Sequence, residues 1–330
     1  MVGTWLITGG CGFIGTATIK ALLAADPSAS IRVVDNLSVG GRDDLGRVAT
    51  FAECSPAQAP QARGVSLIVA DIRNAQDMEA CAKGADCILH LAANTGVAPS
   101  VAAPRLDMEQ NVIGTLNMLE AARANNVGKF IFASSGAPAG EVEPPIHEEV
   151  APHPVSPYGA SKLAGEAYCS AYARTFGVKT IALRFGNVFG PLSKHKSSVV
   201  AKFIRQAFAG EECEIYGDGT QTRDFIYIED LVRAVLLAAA ADFGGEVFQI
   251  ASGREHTVGE VAEMIRQELK SVAGLDMRLR HGQSRLGDVL RNYADTSKAA
   301  RMLGWTPSRD LREGIRETIR YFLEETARHV

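Results

Sequence analysis

The sequence predicts an α/β fold in which a doubly wound parallel sheet is followed by a smaller, interleaved C-terminal α/β lobe. Short β-branched runs alternate with helical stretches through the first half of the 330-residue chain, which is typical of a parallel sheet covered by helices. After Gly186 the segments are shorter and richer in turn residues, including GDG at Gly217 to Gly219. A length of about two typical domains agrees with two lobes that share a cleft.

The elements of the first half follow from runs of buried-strand composition separated by longer helical patterns. The predicted strands are Thr4 to Thr8, Ile31 to Asp35, Val65 to Ala70, Cys87 to Leu91, Lys129 to Ala133 and Thr180 to Arg184. The predicted helices are Phe13 to Ala25, Ala75 to Lys83, Leu106 to Asn126 and Pro157 to Phe176. This alternation predicts a doubly wound sheet.

The chain is expected to divide near residue 186, into a sheet domain of residues 1–185 and a second lobe of residues 186–330. The division is not expected to be clean, because the strand Glu246 to Ile250 and the helix Glu229 to Ala241, within residues 225–250, are able to return to the sheet. The proline-rich segment Ala137 to Pro157 is expected to form a functional loop.

Composition excludes several classes of partner. The 34 basic and 38 acidic residues give a net charge of −4, and no basic run follows a phosphate backbone, so nucleic acid is not an expected partner. The longest later apolar run, Ala234 to Ala241, is far shorter than the roughly 20 residues of a membrane span. The 6 cysteines form no CxxC pair, so we expect a cytoplasmic protein with free thiols and no metal.

TGGCGFIG, from Thr8 to Gly15, follows the first strand and opens the first helix, which is the context of a phosphate-binding loop in a Rossmann fold. Gly9 permits the tight turn, Gly12 lets the backbone approach a pyrophosphate, and Gly15 lets the helix pack closely on the strand. The helix N-terminus adds unpaired N–H groups. Spaced glycines also occur as turn residues, and the strand-loop-helix context favours the dinucleotide site.

Asp35 ends the second predicted strand, 20 residues beyond Gly15. A carboxylate at this place accepts hydrogen bonds from a ribose diol and repels a 2′-phosphate, so the predicted cofactor is NAD rather than NADP. The alternative is that Asp35 is a turn residue and that Arg32 or Arg42 receives a phosphate.

The SPY segment, residues 156–158, is typical of a helix N-cap followed by proline, so Tyr158 and Lys162 are expected on one face of a helix. The cation, the helix N-terminus and a nicotinamide ring would all favour phenolate, which makes Tyr158 a general base near neutral pH. Ser135, just past the fifth strand, is expected to share the substrate proton, with Ser134 as a rival. The alternatives are a surface Tyr-Lys pair and a turn serine.

These motifs resemble one family when taken together. TGGCGFIG, Asp35, HLAA at His90 to Ala93, Asn111, the serine loop and YGASK resemble the extended short-chain dehydrogenase/reductases. GNVFGP (186–191), IYGDGTQTRDFIYIEDL (215–231) and RLGDVLRNYADTSKAARMLGW (285–305) are similar to the UDP-sugar-binding segments of nucleotide-sugar 4-epimerases. The resemblance covers essentially the whole chain. It implies a UDP-sugar substrate and a homodimer built from the helices Leu106 to Asn126 and Pro157 to Phe176.

The resemblance also implies roles for individual residues. Asn187 would contact the UDP phosphates, Arg223 and Arg285 would pair with the diphosphate, Asp288 would hold the uridine ribose, and Ile215 and Tyr216 would line the uracil. Ser134, Ser135 and Tyr158 would contact the sugar. The implied cofactor-binding residues are Gly9, Gly12, Phe13, Ile14, Gly15, Asp35, Asn36, Asp71, Ile72, Leu91, Ala92, Ala93, Asn111, Tyr158, Lys162 and Phe185.

The two positions after Ser135 depart from those of relatives that eliminate water. Dehydratases of this family carry an Asp-Glu pair there, and decarboxylases a glutamate at the second position, whereas this chain has Gly136 and Ala137. Neither residue transfers a proton, so the expected chemistry is reversible oxidation at C4 through a transient 4-keto sugar. The expected activity is that of an NAD-dependent UDP-sugar 4-epimerase.

The sugar is ranked among three possibilities. UDP-glucose with UDP-galactose is expected first. UDP-glucuronate is the alternative, because Ser193, Lys194, His195 and Lys196 supply hydroxyls and cations for a C6 carboxylate. UDP-N-acetylglucosamine is third, because Asn292 stands where small-hexose epimerases often carry tyrosine. Outside this activity, the alternatives are a net NAD-dependent reductase and a redox-silent nucleotide-binding regulator, which would typically lack the Tyr-Lys pair.

Overall fold

The computed structural model of the protein describes residues 3–283 and 290–327. Its strands are β1 (Thr4–Thr8), β2 (Ser30–Asp35), β3 (Phe51–Glu53), β4 (Val65–Val69), β5 (Cys87–His90), β6 (Lys129–Ser135), β7 (Thr180–Phe185), β8 (Asn187–Phe189), β9 (Glu212–Tyr216), β10 (Thr222–Arg223), β11 (Phe225–Tyr227), β12 (Glu246–Ile250), β13 (His256–Thr257) and β14 (Arg278–Gly282). Its helices are α1 (Phe13–Ala25), α2 (Arg42–Gly46), α3 (Ala75–Ala82), α4 (Val97–Ala102), α5 (Pro104–Met108), α6 (Gly114–Ala124), α7 (Pro157–Phe176), α8 (Val199–Phe208), α9 (Ile228–Ala240), α10 (Val258–Ala273), α11 (Ser297–Leu303) and α12 (Leu311–Ala327).

Among the described residues, eight strands form one sheet in the order β12-β7-β6-β5-β1-β2-β4-β3. All neighbouring pairs are parallel, so the predicted doubly wound sheet is confirmed. The direction in which the chain adds strands reverses at β1, which has β2 on one side and β5 on the other. Ligands of such sheets bind at the carboxyl ends of the strands beside this reversal. Thr8 and His90, which end β1 and β5, therefore mark the binding edge.

Neighbouring residues of the central strands pack into two apolar layers. Ile7 belongs to the layer that contains Ile19 of α1 and Leu231 of α9, whereas Leu6 belongs to the layer that contains Leu119 of α6. Alternate residues of a strand point to opposite faces, so a strand covered on both faces must be apolar throughout. This explains the unbroken apolar runs from which the strands are predicted.

Most first-half elements have their predicted bounds within one or two residues, and β1, α1 and α7 match. The stretch predicted as one helix from Leu106 to Asn126 is helical from Pro104 to Ala124, but it is not a uniform α-helix. A π-helical turn, Glu109–Ile113, separates α5 from α6. The side chain of Asn111 in this turn bonds the backbone of Asn94, a tertiary contact that a local pattern does not contain. A Cβ on Gly114, where α6 begins, would lie 2.4 Å from Cδ1 of Ile72.

The second half of the chain contributes to the central sheet and also forms a separate layer. β12 pairs with β7 at the sheet edge, with Glu246 opposite Ile181, and α9 packs against α1. Outside this sheet, β8 pairs with β11 and β9 with β14 in parallel, and β10 pairs with β13 in antiparallel orientation. α10 packs against α8 and α12. Residues of the second half therefore surround the carboxyl edge of β7.

The loop between β6 and α7 is attached to both halves of the molecule. Gly140 forms a β-bridge with His153 inside the loop. Ile146 donates its backbone N–H to the carbonyl oxygen of Tyr293 at 2.9 Å, which joins the loop to the C-terminal lobe. The loop is thereby fixed both to itself and to the C-terminal lobe.

No helix within residues 3–283 and 290–327 is long and apolar enough to cross a membrane. Within the same ranges, no group of three or more His, Cys, Asp or Glu side chains is arranged to hold a metal ion. All 6 cysteines are free thiols.

Candidate active site

A cleft of about 480 Å³ lies over the carboxyl ends of the central strands. Its walls are the glycine loop after β1, the ends of β2, β4, β5 and β6, the start of α7 and the segment from 185 to 198. The strand order places Asp35 and Asp71 on one side of β1, and Ser135 on the other. The cleft is therefore open to a ligand that spans the strand reversal.

The glycine loop has the close contacts that a backbone cradle requires. Gly9 has φ +68°, and a Cβ built on it would lie 2.8 Å from the backbone nitrogen of Ala92. A Cβ on Gly15 would lie 2.5 Å from Cα of Gly10, so larger residues are excluded at both positions. Gly12 caps α1 without a side-chain hydrogen bond, which leaves the N–H groups of the first turn to an anion.

Asp35 is fixed at the end of β2. Its Oδ2 accepts the N–H of Cys11 at 2.9 Å, and its Oδ1 accepts the N–H of Leu37 at 2.8 Å. Burial raises the pKa of the carboxyl group, against the effect of these two bonds. The alternative phosphate ligands are engaged, because Arg32 is buried on the carbonyls of Cys81 and Lys83, and Arg42 pairs with Glu53. This arrangement favours a ribose diol as the partner of Asp35.

Asp71 and Ile72 line the cleft beside Asp35. The guanidinium of Arg73 forms a two-pronged pair with Asp71, at 3.0 and 2.8 Å. This hydrogen bonding lowers the pKa of Asp71 to about 2 despite partial burial. The Asp71 charge is thus balanced within its own turn, and Ile72 supplies an apolar surface to the cleft.

One wall of the cleft is formed by Leu91, Ala92 and Ala93. These residues come directly after His90, a buried histidine that ends β5. Nδ1 of His90 lies 2.7 Å from the hydroxyl of Thr8, and the same hydroxyl accepts the N–H of Ala92 at 3.2 Å. Burial, together with the charge of Lys162, lowers the pKa of His90 to about 3. A neutral imidazole therefore fixes the end of β5 against β1.

Tyr158 and Ser135 face each other in the cleft. Ser156 caps α7 by accepting the N–H of Gly159 at 3.1 Å, and Pro157 occupies the first helical position, so Tyr158 lies in the first turn as predicted. Both residues line the cleft, and the Ser135 hydroxyl acts on the phenol by lowering its pKa. The two groups are thus placed to move one proton between them and a bound hydroxyl.

The electrostatics of Tyr158 differ from the expectation that Lys162 favours its phenolate. Burial raises the pKa of Tyr158 to about 12, outweighing the hydrogen bond from Ser135, which lowers it. The Lys162 ammonium donates to the carbonyl oxygen of Ala133 at 2.8 Å and lies 5.9 Å from the centre of the Tyr158 ring. Burial lowers the pKa of Lys162 to about 8. Desolvation dominates both groups because each is removed from water.

The neighbouring serine, Ser134, has its hydroxyl engaged elsewhere. It lines the cleft, but it donates to Oε1 of Glu166 at 2.6 Å. Glu166 also accepts the Nε and Nη2 groups of Arg184 at 2.8 and 2.7 Å. Ser135, rather than Ser134, therefore presents the hydroxyl to Tyr158.

Asn111 is the predicted cofactor-binding residue that does not line the cleft. The others do: Gly9, Gly12, Phe13, Ile14, Gly15, Asp35, Asn36, Asp71, Ile72, Leu91, Ala92, Ala93, Tyr158, Lys162 and Phe185. Asn111 is 2% exposed, and its amide bonds the backbone of Asn94, Asp107 and the hydroxyl of Ser161. Its side chain thus packs under the wall of the cleft.

The residues predicted to hold the nucleotide of the substrate are dispersed. Asn187 lines the cleft, and its N–H donates to the carbonyl oxygen of Asp224 at 2.8 Å. Ile215 is buried. The ammonium of Lys202 lies 5.3 Å from the centre of the Tyr216 ring. The guanidinium of Arg223 donates to the backbone carbonyl oxygen of Thr222. None of these three lines the cleft within the described ranges. Arg285 and Asp288 lie outside the described residues.

Sequence reasoning missed Asp44, on the short helix α2. Its carboxylate bonds both Lys194 and His195, and it lines the cleft. A carboxylate nine residues beyond a strand end gives no local signal of such a contact. The hydroxyl of Ser193 is buried and donates to Gly190, so it is not presented to the cleft, whereas Lys196 is a lining residue.

Comparisons with known proteins agree with this geometry. The profile of the NAD dependent epimerase/dehydratase family matches residues 5–251. The UDP-glucose 4-epimerase of Mycolicibacterium smegmatis is 33% identical over 324 residues, covering 96% of this chain and 97% of that protein. A dTDP-glucose 4,6-dehydratase of Streptomyces niveus is 30% identical over 328 residues, covering 98% of this chain and 93% of that protein.

A solved structure extends the similarity to three dimensions. The UDP-glucose 4-epimerase of Thermotoga maritima with UDP-glucose superposes with a TM-score of 0.86 at 36% identity, covering 98% of this chain and 99% of that chain. The resemblance identified in the sequence is confirmed. The chain belongs to the NAD-dependent epimerase/dehydratase family of extended short-chain dehydrogenase/reductases, and its cofactor is NAD.

Proposed function

We propose that this protein is a UDP-sugar 4-epimerase that inverts C4 through a transient 4-keto sugar, with UDP-glucose and UDP-galactose as its substrate pair. The observation that carries the proposal is a phenol that shares the cleft with a serine hydroxyl, without a free carboxylate to accompany them. Tyr158 and Ser135 both line the cleft, and the two residues that follow Ser135 are Gly136 and Ala137. The site thus has the groups for one reversible proton transfer.

The carboxylates that line the described part of the cleft are all engaged. Asp35 accepts two backbone N–H groups, Asp71 pairs with an arginine, and Asp44 bonds Lys194 and His195. Elimination of water from the sugar needs a second acid/base group beside the phenol. This distinction favours epimerisation over dehydration, although dehydratases are among the relatives of the chain.

In the proposed mechanism, Tyr158 as phenolate removes the proton of the C4 hydroxyl, and Ser135 bridges the two oxygens. Bound NAD supplies the chemistry of a hydride acceptor and donor at C4. After the keto sugar has turned its other face to the nicotinamide, Tyr158 returns its proton to the C4 oxygen, so no net oxidation occurs. The ammonium of Lys162 lies 5.9 Å from the centre of the phenol ring, and burial dominates the pKa of the phenol despite this positive charge.

The residues of the cleft fit NAD. The close approaches at Gly9 and Gly15 leave backbone where a pyrophosphate would lie, and the uncapped start of α1 presents N–H groups to it. Asp35 would accept the adenosine ribose diol, because its carboxylate is fixed and no described cation pairs with it. We assign cofactor binding to residues 1–185 with the returning segment 225–250.

Residues 186–330 would hold the UDP-sugar. Asn187 would contact the diphosphate, a role that its position in the lining of the cleft supports. The roles of Ile215, Tyr216 and Arg223 rest on the resemblance to nucleotide-sugar epimerases, as do those of Arg285 and Asp288. The keto sugar can rotate only if the nucleotide stays bound while the sugar turns. Binding of the nucleotide by a separate lobe would meet this requirement.

A product assay tests the proposal directly. Purified protein incubated with UDP-glucose should give UDP-galactose, detected by NMR, with bound NAD neither consumed nor released. Net NADH and a released keto sugar would overturn the epimerase proposal, as would a 4-keto-6-deoxy product. Binding of NAD and UDP without turnover of any UDP-sugar would indicate a redox-silent regulator instead.

UDP-glucuronate is the second candidate because of Lys196. This residue lines the cleft, and no described carboxylate pairs with it, in contrast to Lys194 and His195, which bond Asp44. Burial lowers the pKa of Lys196, as expected for a cation that lacks a counter-charge. A Lys196→Met variant separates the sugars. If the natural partner of Lys196 is the C6 carboxylate of glucuronate, the variant should lose turnover of UDP-glucuronate and keep that of UDP-glucose. If UDP-glucose is the natural substrate, the substitution should change the turnover of the two sugars by similar factors.

UDP-N-acetylglucosamine is the third candidate. A Cβ on Gly136 would lie 4.0 Å from Nδ2 of Asn292, so an amide side chain adjoins the catalytic loop. The same NMR assay with all three UDP-sugars ranks them by kcat/KM. A kcat/KM for UDP-glucose below that for either other sugar would reject the first choice.

We also propose that the protein is a homodimer. Large apolar side chains are exposed on α4, α5, the π-helical turn and α7, namely Val97, Val101, Leu106, Met108, Ile113, Tyr168 and Phe176. α7 packs against the other three elements, so these side chains belong to one helical layer. A second copy of this layer would remove them from water, which is the main driving force of association.

A further inference from the structure

A fully buried carboxylate, Asp107, lies beside the catalytic helix and outside the cleft. It is 0% exposed, on α5, which packs against α7. Its Oδ1 accepts Nδ2 of Asn94 at 3.2 Å and Nδ2 of Asn111 at 3.0 Å. Its Oδ2 is buried and has no hydrogen-bond partner among the described residues. An ionised group in this position needs a compensating positive charge nearby, because burial of an isolated charge is strongly unfavourable.

Two of the buried charged residues around α7 form an ion pair with each other. Arg184 donates two hydrogen bonds to Glu166, at 2.8 and 2.7 Å, so the charges of these two residues compensate each other. Lys162 is 4% exposed, and its ammonium donates to a neutral carbonyl oxygen. Among the described residues, the charge of Asp107, followed by that of Glu166, most favours the charged form of this ammonium.

Hydrogen bonds also connect Asp107 to the turn that carries the phenol. The amide of Asn111 donates to both Asp107 and the hydroxyl of Ser161, each at 3.0 Å. The Ser161 hydroxyl in turn donates to the carbonyl oxygen of Tyr158 at 3.0 Å. The first turn of α7 is therefore tied to α5 through two polar side chains.

We propose that Asp107 is a positioning residue whose carboxylate balances the charge of Lys162 and, through Asn111 and Ser161, fixes the turn that carries Tyr158. This inference rests on the proposed function, because it takes Tyr158 as the base. It adds a residue that touches neither substrate nor cofactor. Its effect is on the ionisation of Tyr158, the proposed base, and of Lys162, the cation beside it.

The charges that face Lys162 support this role. Burial lowers the pKa of Lys162, and the charge of Asp107 is the largest opposing influence, ahead of Glu166 and Cys169. His90, on β5, is neutral because burial and the charge of Lys162 lower its pKa to about 3. Removing the Asp107 charge should therefore lower the pKa of Lys162 further.

The same carboxylate acts on Tyr158 in a predictable direction. After burial, the charge of Asp107 contributes to raising the pKa of the phenol, because a nearby anion disfavours phenolate, while the bond from Ser135 lowers it. Loss of the Asp107 charge should therefore bring the pKa of the phenol down as well. Both groups are expected to titrate at lower pH.

The Asp107→Asn variant isolates the charge from the hydrogen bonds. Asparagine keeps one oxygen to accept from Asn94 and Asn111, and its NH₂ replaces the oxygen that has no partner. In the NAD-loaded protein we expect Tyr158 to ionise about one pH unit lower. The tyrosinate absorbance measures this, taken as the difference from the Tyr158→Phe protein in each background. The alkaline limb of the epimerase rate, which reports Lys162, should move the same way.

Asn94→Ala is the matched control, because it removes a hydrogen bond to the same carboxylate without changing any charge. It should lower the Tm and leave the titration of Tyr158 in place. An unmoved titration in Asp107→Asn, or an equal shift in Asn94→Ala, would overturn the proposal. The absorbance measurement needs no substrate, so a shift without any epimerase turnover would reject the proposed function and support the role of Asp107.

A double-variant cycle covers the case in which Asp107→Asn folds poorly. Lys162→Met leaves the Asp107 carboxylate without its counter-charge, so adding Asp107→Asn to Lys162→Met should raise the Tm. The same change in the wild-type background should lower it. Equal effects of Asp107→Asn on the Tm in both backgrounds would show that the two charges do not interact.

Discussion

Nε2 of His195 lies 3.0 Å from Oδ2 of Asp44, although 151 positions separate the two residues. Lys194 pairs with the other oxygen of the same carboxylate, and Gly41 donates its N–H to Oδ2 at 2.9 Å. Both His195 and Asp44 line the cleft, so their contact joins its two walls. The segment after β8 is thereby fastened to α2, on the wall of the cleft that also contains Asp35.

The first prediction concerns retention of NAD. Asp44→Asn should release NAD about tenfold faster, because loss of the charged contacts to Lys194 and His195 frees one wall of the cleft; a factor of ten is about 1.4 kcal/mol. NAD absorbance after gel filtration measures the effect. Asp43→Asn, at an exposed position of the same helix, is the matched control. If Asp44→Asn retains NAD as the wild type does, the bridge has no such role.

Tyr158→Phe tests the base. Turnover should fall by at least about a hundredfold, because the C4 proton loses its acceptor. Bound NAD should remain near the wild-type amount, since phenylalanine keeps the ring in the cleft. Tyr168→Phe changes an exposed tyrosine of the same helix and should leave the rate intact. Turnover of Tyr158→Phe close to that of the wild type would exclude this residue as the base.

The two adjacent serines should respond differently to the same change. Ser135→Ala should lower kcat, because the Ser135 hydroxyl lowers the pKa of Tyr158, the proposed base. Ser134→Ala should instead lower the free energy of unfolding by about 1–3 kcal/mol, since buried Glu166 loses a hydrogen-bond donor. Denaturant titrations and initial rates on both variants check this. A larger loss of kcat in Ser134→Ala than in Ser135→Ala would reverse the assignment.

His90 should make stability depend on pH. The Thr115 hydroxyl donates its proton to the backbone carbonyl oxygen of Asn111, so it must accept the N–H of Nε2 of His90. Nδ1 of His90 is therefore unprotonated and accepts from the hydroxyl of Thr8. The folded pKa is about 3, below the unfolded value of about 6.5, so the unfolded state binds more protons between these values. The contribution is complete above about pH 6.5 and is lost as the pH falls towards 3.

His90→Gln should therefore flatten the acid side of the stability profile, even if it lowers stability at neutral pH. The free energy of unfolding measured from about pH 4 to 7 should fall by up to about 1.4 kcal/mol more per pH unit in the wild type. His153→Gln, at an exposed position, serves as the control. Parallel profiles for the wild type and His90→Gln would contradict the prediction.

The proposed dimer is tested on its most exposed residue. Val101 is 62% exposed on α4, and Val101→Glu should shift the protein from dimer to monomer in light scattering, because a charge buried between two copies has no partner. Met302→Glu, at a 42% exposed position on α11, should leave the mass unchanged. A wild-type monomer, or a Val101→Glu protein that is still dimeric, would reject this surface as the interface.

Local sequence patterns were enough to predict the elements that have a regular arrangement of apolar residues or glycines. The central strands are buried on both faces and the glycine loop must approach other backbone closely, so apolar runs and spaced glycines identify them without any tertiary information. The N-cap and proline before Tyr158 fix the start of α7 in the same way. By itself, then, the sequence determined the doubly wound sheet, the dinucleotide loop and the placement of Tyr158 and Lys162 on one helix.

Tertiary structure decided which side chains face the cleft and how they ionise. Ser134 and Ser135 are equivalent in a sequence, but alternate residues of a strand point to opposite sides, which turns one hydroxyl to Glu166 and the other to Tyr158. The break at Asn111 and the contact of Asp44 with His195 depend on partners far along the chain. Burial, a property of the assembled fold, sets the pKa values of Tyr158 and Lys162, because the free energy of ionisation depends on the water that packing excludes.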